Sequence, residues 1–224
     1  SFTTRGGMAG TFTAGVNGRG EMRGEVLPSD GGSACRITSD NAGTIMAAAG
    51  IFENGRGGRL DMTLTPRGPE GHYNGFASFS KMRVQGAPAL AELLSAVSVV
   101  GLLEQMNGEG LAFNNGEVRF VLTPDAVEIS QGSAVGASLG ISFAGLYLTA
   151  GGQLDLQGVI SPIYLVNGVG QIFSRRGEGL FGFNYRLTGT AEAPDVSINP
   201  LSVLTPGMFR EIFRQAPPNL QDSD

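Results

Sequence analysis

Apolar and polar residues alternate with a period of two through much of the chain. In residues 10–16, Phe12, Ala14 and Val16 share one parity, while threonine and glycine occupy the other. Such alternation is typical of a strand that buries one face. Because short glycine-containing turns separate the runs, they predict an antiparallel meander. Similar runs occur at residues 20–27, 33–39, 59–66, 75–84, 117–123, 126–130, 137–145, 152–160 and 180–189.

Two segments have helical spacing instead. Residues 40–53 predict a short helix in which Asp40 is the N-cap residue. Residues 88–106 predict a longer helix, with Pro88 in its first turn. The apolar face of this helix is predicted to pack on the sheet, and contact with lipid is the alternative. Its apolar residues follow spacings of three and four: Leu90, Leu93, Leu94, Val97, Val100 and Leu103.

Irregular points interrupt the strand pattern. In residues 75–84 the apolar parity slips between Phe79 and Met82, which predicts a β-bulge. Residues 161–173 are predicted to interrupt the meander with a compact apolar turn, because Pro162 cannot donate a backbone hydrogen bond in a central strand.

The pattern changes again in residues 198–213, which read INPLSVLTPGMFREIF. Pro194 and Pro200 lack backbone donors, so the sheet is predicted to end there. Thr205 and Pro206 then predict a short helix, with the threonine as N-cap and the proline at the first helical position. We expect this helix to cover the end of the sheet, and docking on a membrane or partner is the alternative.

Together these elements predict a mainly β fold: a curved antiparallel β-sheet, shaped as a groove or a partly closed barrel, with two or three packed α-helices. Residues 1–214 are predicted to form a single domain, excised from a longer chain because Ser1 begins in the middle of a pattern. Residues 215–224 are polar and contain prolines, which predicts a flexible tail. No run reaches the ~20 apolar residues of a membrane-spanning helix.

Composition narrows the classes of partner. The formal net charge is −5, the arginines are scattered along the sequence, and no basic face is visible. Nucleic acid is therefore not an expected partner, and an anionic membrane surface would add little electrostatic attraction. Cys35 is the single cysteine, so an internal disulfide is excluded and a buried or half-buried thiol is predicted.

Catalytic chemistry has one candidate. Residues 136–140 read GASLG and match a nucleophile elbow with Ser138 as the nucleophile. That motif needs a strand–turn–helix context and a later histidine, whereas strands flank Ser138 on both sides and the single histidine, His72, lies upstream in a turn. A hydrolase is therefore the third choice, and we expect no enzyme, no cofactor and no metal site.

Several segments resemble the C-terminal region of AsmA-like bacterial envelope proteins of the YhdP type. The resemblance covers most of the chain from residue 39 onward. It is most specific around Asn199, Pro200, Leu201, Pro206 and Gly207. Residues 1–38 are only generically compatible with it. The segments that carry it are residues 39–62, 87–113, 136–145, 154–173 and 177–213.

The resemblance implies a module of a protein anchored in the bacterial inner membrane and extending into the periplasm. Such proteins carry phospholipid between the inner and outer membranes in a β-sheet groove with an apolar interior. The expected partner is phospholipid or another acyl-chain lipid, with the membrane surface or envelope proteins as further candidates. The alternative function is a structural or assembly module of the envelope that does not transport lipid.

The candidate lipid contacts are apolar and aromatic residues of the predicted strands. They are equally the best candidates for the core, and the sequence alone does not separate the two roles. They are Phe120, Leu122, Ile141, Phe143, Leu156, Phe181, Phe183 and Tyr185.

Overall fold

A computed structural model describes residues 2–3, 8–16, 18, 20–48, 55–97, 104–105, 107–162, 182–190 and 193–199. This part of the chain is mainly β, with two short helices, α1 (Ala42–Ala48) and α2 (Pro88–Ala96). The strands are β1 (Phe2–Thr3), β2 (Ala9–Val16), β3 (Gly20–Ser29), β4 (Gly32–Ser39), β5 (Gly55–Arg56), β6 (Arg59–Pro66), β7 (Tyr73–Val84), β8 (Leu111–Leu122), β9 (Ala126–Gly136), β10 (Leu139–Leu148), β11 (Gln153–Pro162), β12 (Phe183–Thr190) and β13 (Pro194–Asn199).

These strands form one antiparallel sheet that is not closed. Its order is β1-β2-β3-β4-β6-β7-β8-β9-β10-β11-β12-β13, and β5 pairs with β7 beside β6. Strands therefore pair mainly with their neighbours in the chain, as short antiparallel connections allow. The predicted mainly β fold with an antiparallel meander is confirmed.

The meander gives the sheet two unlike ends. At one end the connections of the described chain are short turns, such as residues 30–31, 123–125 and 149–152. At the other end two long connections hold the helices, α1 between β4 and β5 and α2 between β7 and β8. We call these the turn end and the helix end.

Strand register separates the side chains into two faces. Val118, Gly132, Phe143, Gly158 and Tyr185 are successive partners from β8 to β12. Because residues directly opposite each other share a face, this row and the parallel rows beside it define an apolar face. The other face, the polar face, carries two bidentate ion pairs, Arg36 with Asp61 and Arg186 with Asp155.

The β-bulge predicted between Phe79 and Met82 is not seen in the pairing of β7, but Lys81 between them has a left-handed φ of 54°. The register shift itself lies in the pairing of β8 with β9, between Phe113 and Asn115. The register of β7 on β8 is unbroken across this point. The paired irregularities in the two strands keep both Met82 and Phe113 on the apolar face, where both side chains are buried.

Helix α1 begins one residue later than predicted. The N–H of Thr44 donates to the side-chain oxygen of Asn41 over 3.2 Å. Asn41 is therefore the N-cap residue, and the prediction that Asp40 has this role is wrong. The helix contacts β5 and β7, and its residues Ala42 and Thr44 are buried.

Helix α2 carries Pro88 in its first turn, as predicted, and its described part ends at Ala96. Leu90, Leu93 and Leu94 are buried in the core cluster, so the described part of α2 packs on the sheet. The helix also contacts β13. Residues 98–103 and 106 of the predicted helix lie outside the described residues.

The end of the sheet differs from the prediction. The sheet does not end at Pro194, because β13 begins there and pairs with β12 from Gly189↔Pro194 to Asn184↔Asn199. A proline is tolerated as the first residue of a strand, where its missing donor breaks no ladder. The interruption predicted to begin at residue 161 is also misplaced, since β11 continues to Pro162. The predictions for residues 163–173, 200–214 and 215–224 lie outside the described residues.

Candidate functional site

The predicted lipid-contact residues share one surface. Seven of them lie on the apolar face between β8 and β12, while Phe181 lies outside the described residues. Tyr185 is buried and the other six are half-buried. The seven are Phe120, Leu122, Ile141, Phe143, Leu156, Phe183 and Tyr185.

Aromatic rings on this face lie along the sheet over glycines of the neighbouring strand. Phe143 is directly opposite Gly132, and a Cβ atom built at that glycine would overlap the phenylalanine ring. A ring placed in this way covers the backbone instead of standing away from the sheet. At these points the aromatic rings therefore project little from the sheet. The same pairing occurs at Phe12–Gly24, Phe79–Gly116 and Phe120–Gly75.

Tyr185 uses another glycine to reach a polar partner. It is directly opposite Gly158 of β11, and its hydroxyl donates to the carbonyl oxygen of Ser142 in β10 over 2.9 Å. The N–H of Val159 donates to the Ser142 hydroxyl oxygen over 3.1 Å. Burial raises the pKa of the Tyr185 phenol far above its usual range, so the phenol is neutral and acts as a donor.

The apolar face continues into the N-terminal strands, which contributed none of the predicted lipid contacts. The alternation of apolar and polar residues in 10–16 and 33–39 already indicated which side chains share the apolar face. The register of β4 with β6 continues this face into β6. The half-buried residues added in this way are Phe12, Met22, Val26, Cys35, Ile37, Met62 and Leu64.

Cys35 lies on this face opposite Val26 and Leu64. Its side chain is half-buried, as predicted, and burial raises the pKa of its thiol. A thiol with a raised pKa is a weak nucleophile at neutral pH, so Cys35 has the character of a packing residue.

Burial on the apolar face decreases from the helix end toward the turn end. At the helix end, Val84 and Leu111 are opposite each other and nearly inaccessible, at 1% and 2% exposure. At the turn end, Leu122 and Leu154 are only half-buried. The two helices therefore cover the face unevenly.

A depression of about 670 Å³ lies on the polar side of the sheet. Its charged lining has both signs, with Glu21 and Arg23 forming an exposed ion pair across 2.7 Å. Such a mixed and solvated lining favours no single charge of ligand. The other charged residues of this lining are Asp40, Arg59, Asp61 and Glu117.

The hydrolase candidates are far apart. Ser138 lies in the connection of β9 to β10 at the helix end, and His72 lies in the connection of β6 to β7 at the turn end. Strands of ten or more residues separate the two ends, which is roughly 30 Å at the usual rise per residue. The structure does not bring these two side chains together.

The described residues contain no group of three or more histidine, cysteine, aspartate or glutamate side chains that could hold a metal ion. Within the same ranges, neither helix has the length and apolar character needed to cross a membrane.

Comparison of the chain with protein-family models, curated proteins and solved structures gives no significant match. The resemblance to AsmA-like envelope proteins therefore stays a prediction.

Proposed function

We propose that the chain binds phospholipid, or another acyl-chain lipid, on its apolar face. It would act as a module of an inner-membrane-anchored periplasmic protein that carries phospholipid between the two bacterial membranes. One observation carries the proposal. Among the residues paired in β2 to β13, no charged side chain falls on the apolar face, and much of that face is only half-buried. A continuous apolar surface with incomplete cover is typical of an interaction site.

The contact of α2 with β13 supports a curved, groove-like sheet. Helix α2 follows β7 directly, yet it contacts β13, which is six places further along the sheet. Six spacings in a flat sheet would be about 29 Å. A nine-residue helix spans only about 14 Å. If the sheet curves toward its apolar face, β7 and β13 come close enough for α2 to contact β13. The curved sheet would then form the walls of a groove.

Lipid binding needs no chemical step in this arrangement. Each methylene transferred from water to the apolar face would contribute about 0.8 kcal/mol. The rings of Phe120 and Phe143 lie along the sheet, which would leave height above them for acyl chains. The headgroup would stay in solvent near the turn end, where Leu122 and Leu154 are only half-buried.

The second candidate function is a structural or assembly module of the envelope that does not transport lipid. The three buried leucines of α2 favour it, because they already fill the helix end of the apolar face. The helix has no side-chain N-cap and no charged residues that complement its dipole. Its stability therefore comes from this packing.

Native mass spectrometry of the purified chain, with lipid identified after extraction, tests the proposal. Leu122→Gln combined with Leu156→Gln makes the apolar face polar at two half-buried positions. The matched control is Leu27→Gln combined with Leu146→Gln, since these leucines lie on the polar face and are 42% and 39% exposed. We expect bound lipid in the unchanged chain and in the control, and its loss in the first variant with the fold retained.

Other results would decide against the proposal. A correctly folded chain that never retains lipid favours the structural module. Equal lipid loss in the two double variants would mean that the apolar face is not the site. Hydrolysis of ester substrates that disappears in Ser138→Ala would overturn both candidate functions.

A further inference from the structure

Three arginines lie on the polar face at the helix end, and the exposed Lys81 lies near them in β7. Arg56 of β5 is directly opposite Arg83 of β7, although they are 27 positions apart in the sequence. Arg59 begins β6 on the same face, and Lys81 precedes Arg83 by two residues. All four are exposed. The strand register thus brings together basic residues that are scattered along the sequence and that we call the basic patch, and Arg59 also borders Asp61 and Glu117 in the depression described above.

The pairing of Arg56 with Arg83 is repulsive. Like charges directly opposite each other destabilise a sheet. Arg23, Arg36 and Arg186 form ion pairs in the described part of the chain, and their partners are Glu21, Asp61 and Asp155.

Arg83 is held in place by backbone carbonyl oxygens, which carry no net charge. Its guanidinium donates to the carbonyl oxygens of Glu109 and Gly110 over 3.0 Å and 3.3 Å. These bonds orient the side chain and leave other guanidinium donors for a ligand.

Lys81 adds local strain at the same place. Its φ of 54° is a left-handed conformation, which is strained for a residue other than glycine. Glycines with positive φ, Gly57 and Gly58, lie beside it between β5 and β6. A lysine where glycine is the favoured residue keeps a positive charge in the patch at the expense of stability.

We propose that the patch of Arg56, Arg59, Lys81 and Arg83 docks the helix end of the sheet on an anionic lipid surface. Guanidinium and ammonium groups bind phosphate oxygens strongly. Because the chain as a whole carries a net charge of −5, an anionic surface repels the rest of the molecule and so selects this orientation. The patch spans adjacent strands only, which suits a planar array of headgroups better than the extended phosphate backbone of a nucleic acid.

Sedimentation with lipid vesicles tests the proposal on the 224-residue chain. The vesicles are phosphatidylcholine alone or phosphatidylcholine mixed with phosphatidylglycerol. The test variant is Arg56→Gln with Lys81→Gln, and it leaves Arg83 and its backbone contacts unchanged. The charge-matched control is Arg23→Gln with Arg186→Gln, because both arginines are exposed on the same face but lie in ion pairs.

We expect binding to the anionic vesicles only, and weaker binding as salt is added. Each basic residue near an anionic surface contributes about five-fold in affinity, so the test variant should bind about 25-fold more weakly. The control should bind like the unchanged chain. Arg56→Gln alone should unfold at the same temperature or higher, because it removes the repulsive pair.

Three results would overturn the proposal: no binding of the unchanged chain to anionic vesicles, equal weakening in the test and control variants, or equally strong patch-dependent binding to duplex DNA. The patch is on the opposite face from the proposed lipid site. Retention of lipid by the patch variant in native mass spectrometry therefore reports on the proposed function separately.

Discussion

The Tyr185 side chain of β12 crosses β11 and donates its hydroxyl hydrogen to the carbonyl oxygen of Ser142 in β10, over 2.9 Å. This bond links two strands that are not neighbours in the sheet. It is possible because Gly158 of β11, directly opposite Tyr185, has no side chain in the way. A Cβ atom at Gly158 would itself collide with the Ser142 carbonyl oxygen.

Replacing Tyr185 with phenylalanine should remove this bond while the ring stays in place. The buried carbonyl oxygen of Ser142 then loses one of its partners, so the free energy of unfolding at neutral pH should fall by about 1 kcal/mol. Denaturant unfolding measures the difference. An unchanged midpoint would show that the hydroxyl adds nothing to stability.

The same variant should change the response to alkaline pH. The pKa of the Tyr185 phenol is raised in the folded state by burial. Its contribution to stability is therefore fully present below the ordinary tyrosine pKa of about 10 and is lost as the pH rises through the raised value. The unchanged chain should lose stability above that ordinary pKa more steeply than Tyr185→Phe. Parallel curves for the two proteins would contradict the assignment.

The pairing of phenylalanine with glycine predicts a second effect. Gly132→Ala places a methyl group within the ring of Phe143, so the ring must move off the sheet. Overpacking of this kind should lower the free energy of unfolding by about 1–3 kcal/mol. Gly15→Ala is the control, because a Cβ atom there has no neighbour within 4 Å. Equal unfolding midpoints for the two variants would refute close contact between the ring and the glycine.

The left-handed conformation of Lys81 predicts an inverted order of residue preference. In an ordinary strand valine is favoured over glycine. At Lys81, with its φ of 54°, valine should be less stable than glycine by about 1–2 kcal/mol. Thermal unfolding of Lys81→Val and Lys81→Gly checks the order. Greater stability of the valine variant would mean that the strand is regular at this point.

Cys35 offers a probe of the apolar face that needs no substitution. Burial raises the pKa of its thiol, so modification by a water-soluble thiol reagent should be slow at neutral pH and should accelerate only above the ordinary thiol pKa. A lipid bound over Val26 and Leu64 should slow the reaction further. The rate of Cys35 modification, measured with and without phospholipid by stopping the reaction at set times, gives the protection of the thiol. Equal rates would place the lipid elsewhere or show that none binds.

The alternation of apolar and polar residues predicted most of the sheet, because odd-numbered and even-numbered side chains of a strand lie on opposite faces. The run at residues 59–66 matches β6 from end to end, and the slip between Phe79 and Met82 located Lys81. The low strand propensity of proline led to the wrong prediction that the sheet ends at Pro194. The cost of its missing donor depends on its place in the ladder, and the residue alone does not reveal that place.

The site was harder to predict than the sheet. Alternation identified Phe143 as inward-facing but could not reveal that its ring lies over Gly132, since that depends on register between β9 and β10. The basic patch escaped detection for the same reason. Arg56 and Arg83 become neighbours only when β5 pairs with β7.

The pairing of strands with their neighbours along the chain has a consequence for how the molecule folds. Most connections between paired strands are short turns, and the three long ones are residues 40–58, 85–110 and 163–182. The sheet can grow outward one hairpin at a time from any early nucleus. We therefore expect the hairpins with short turns to form first, and the strand pairings across the three long connections to be the slow steps.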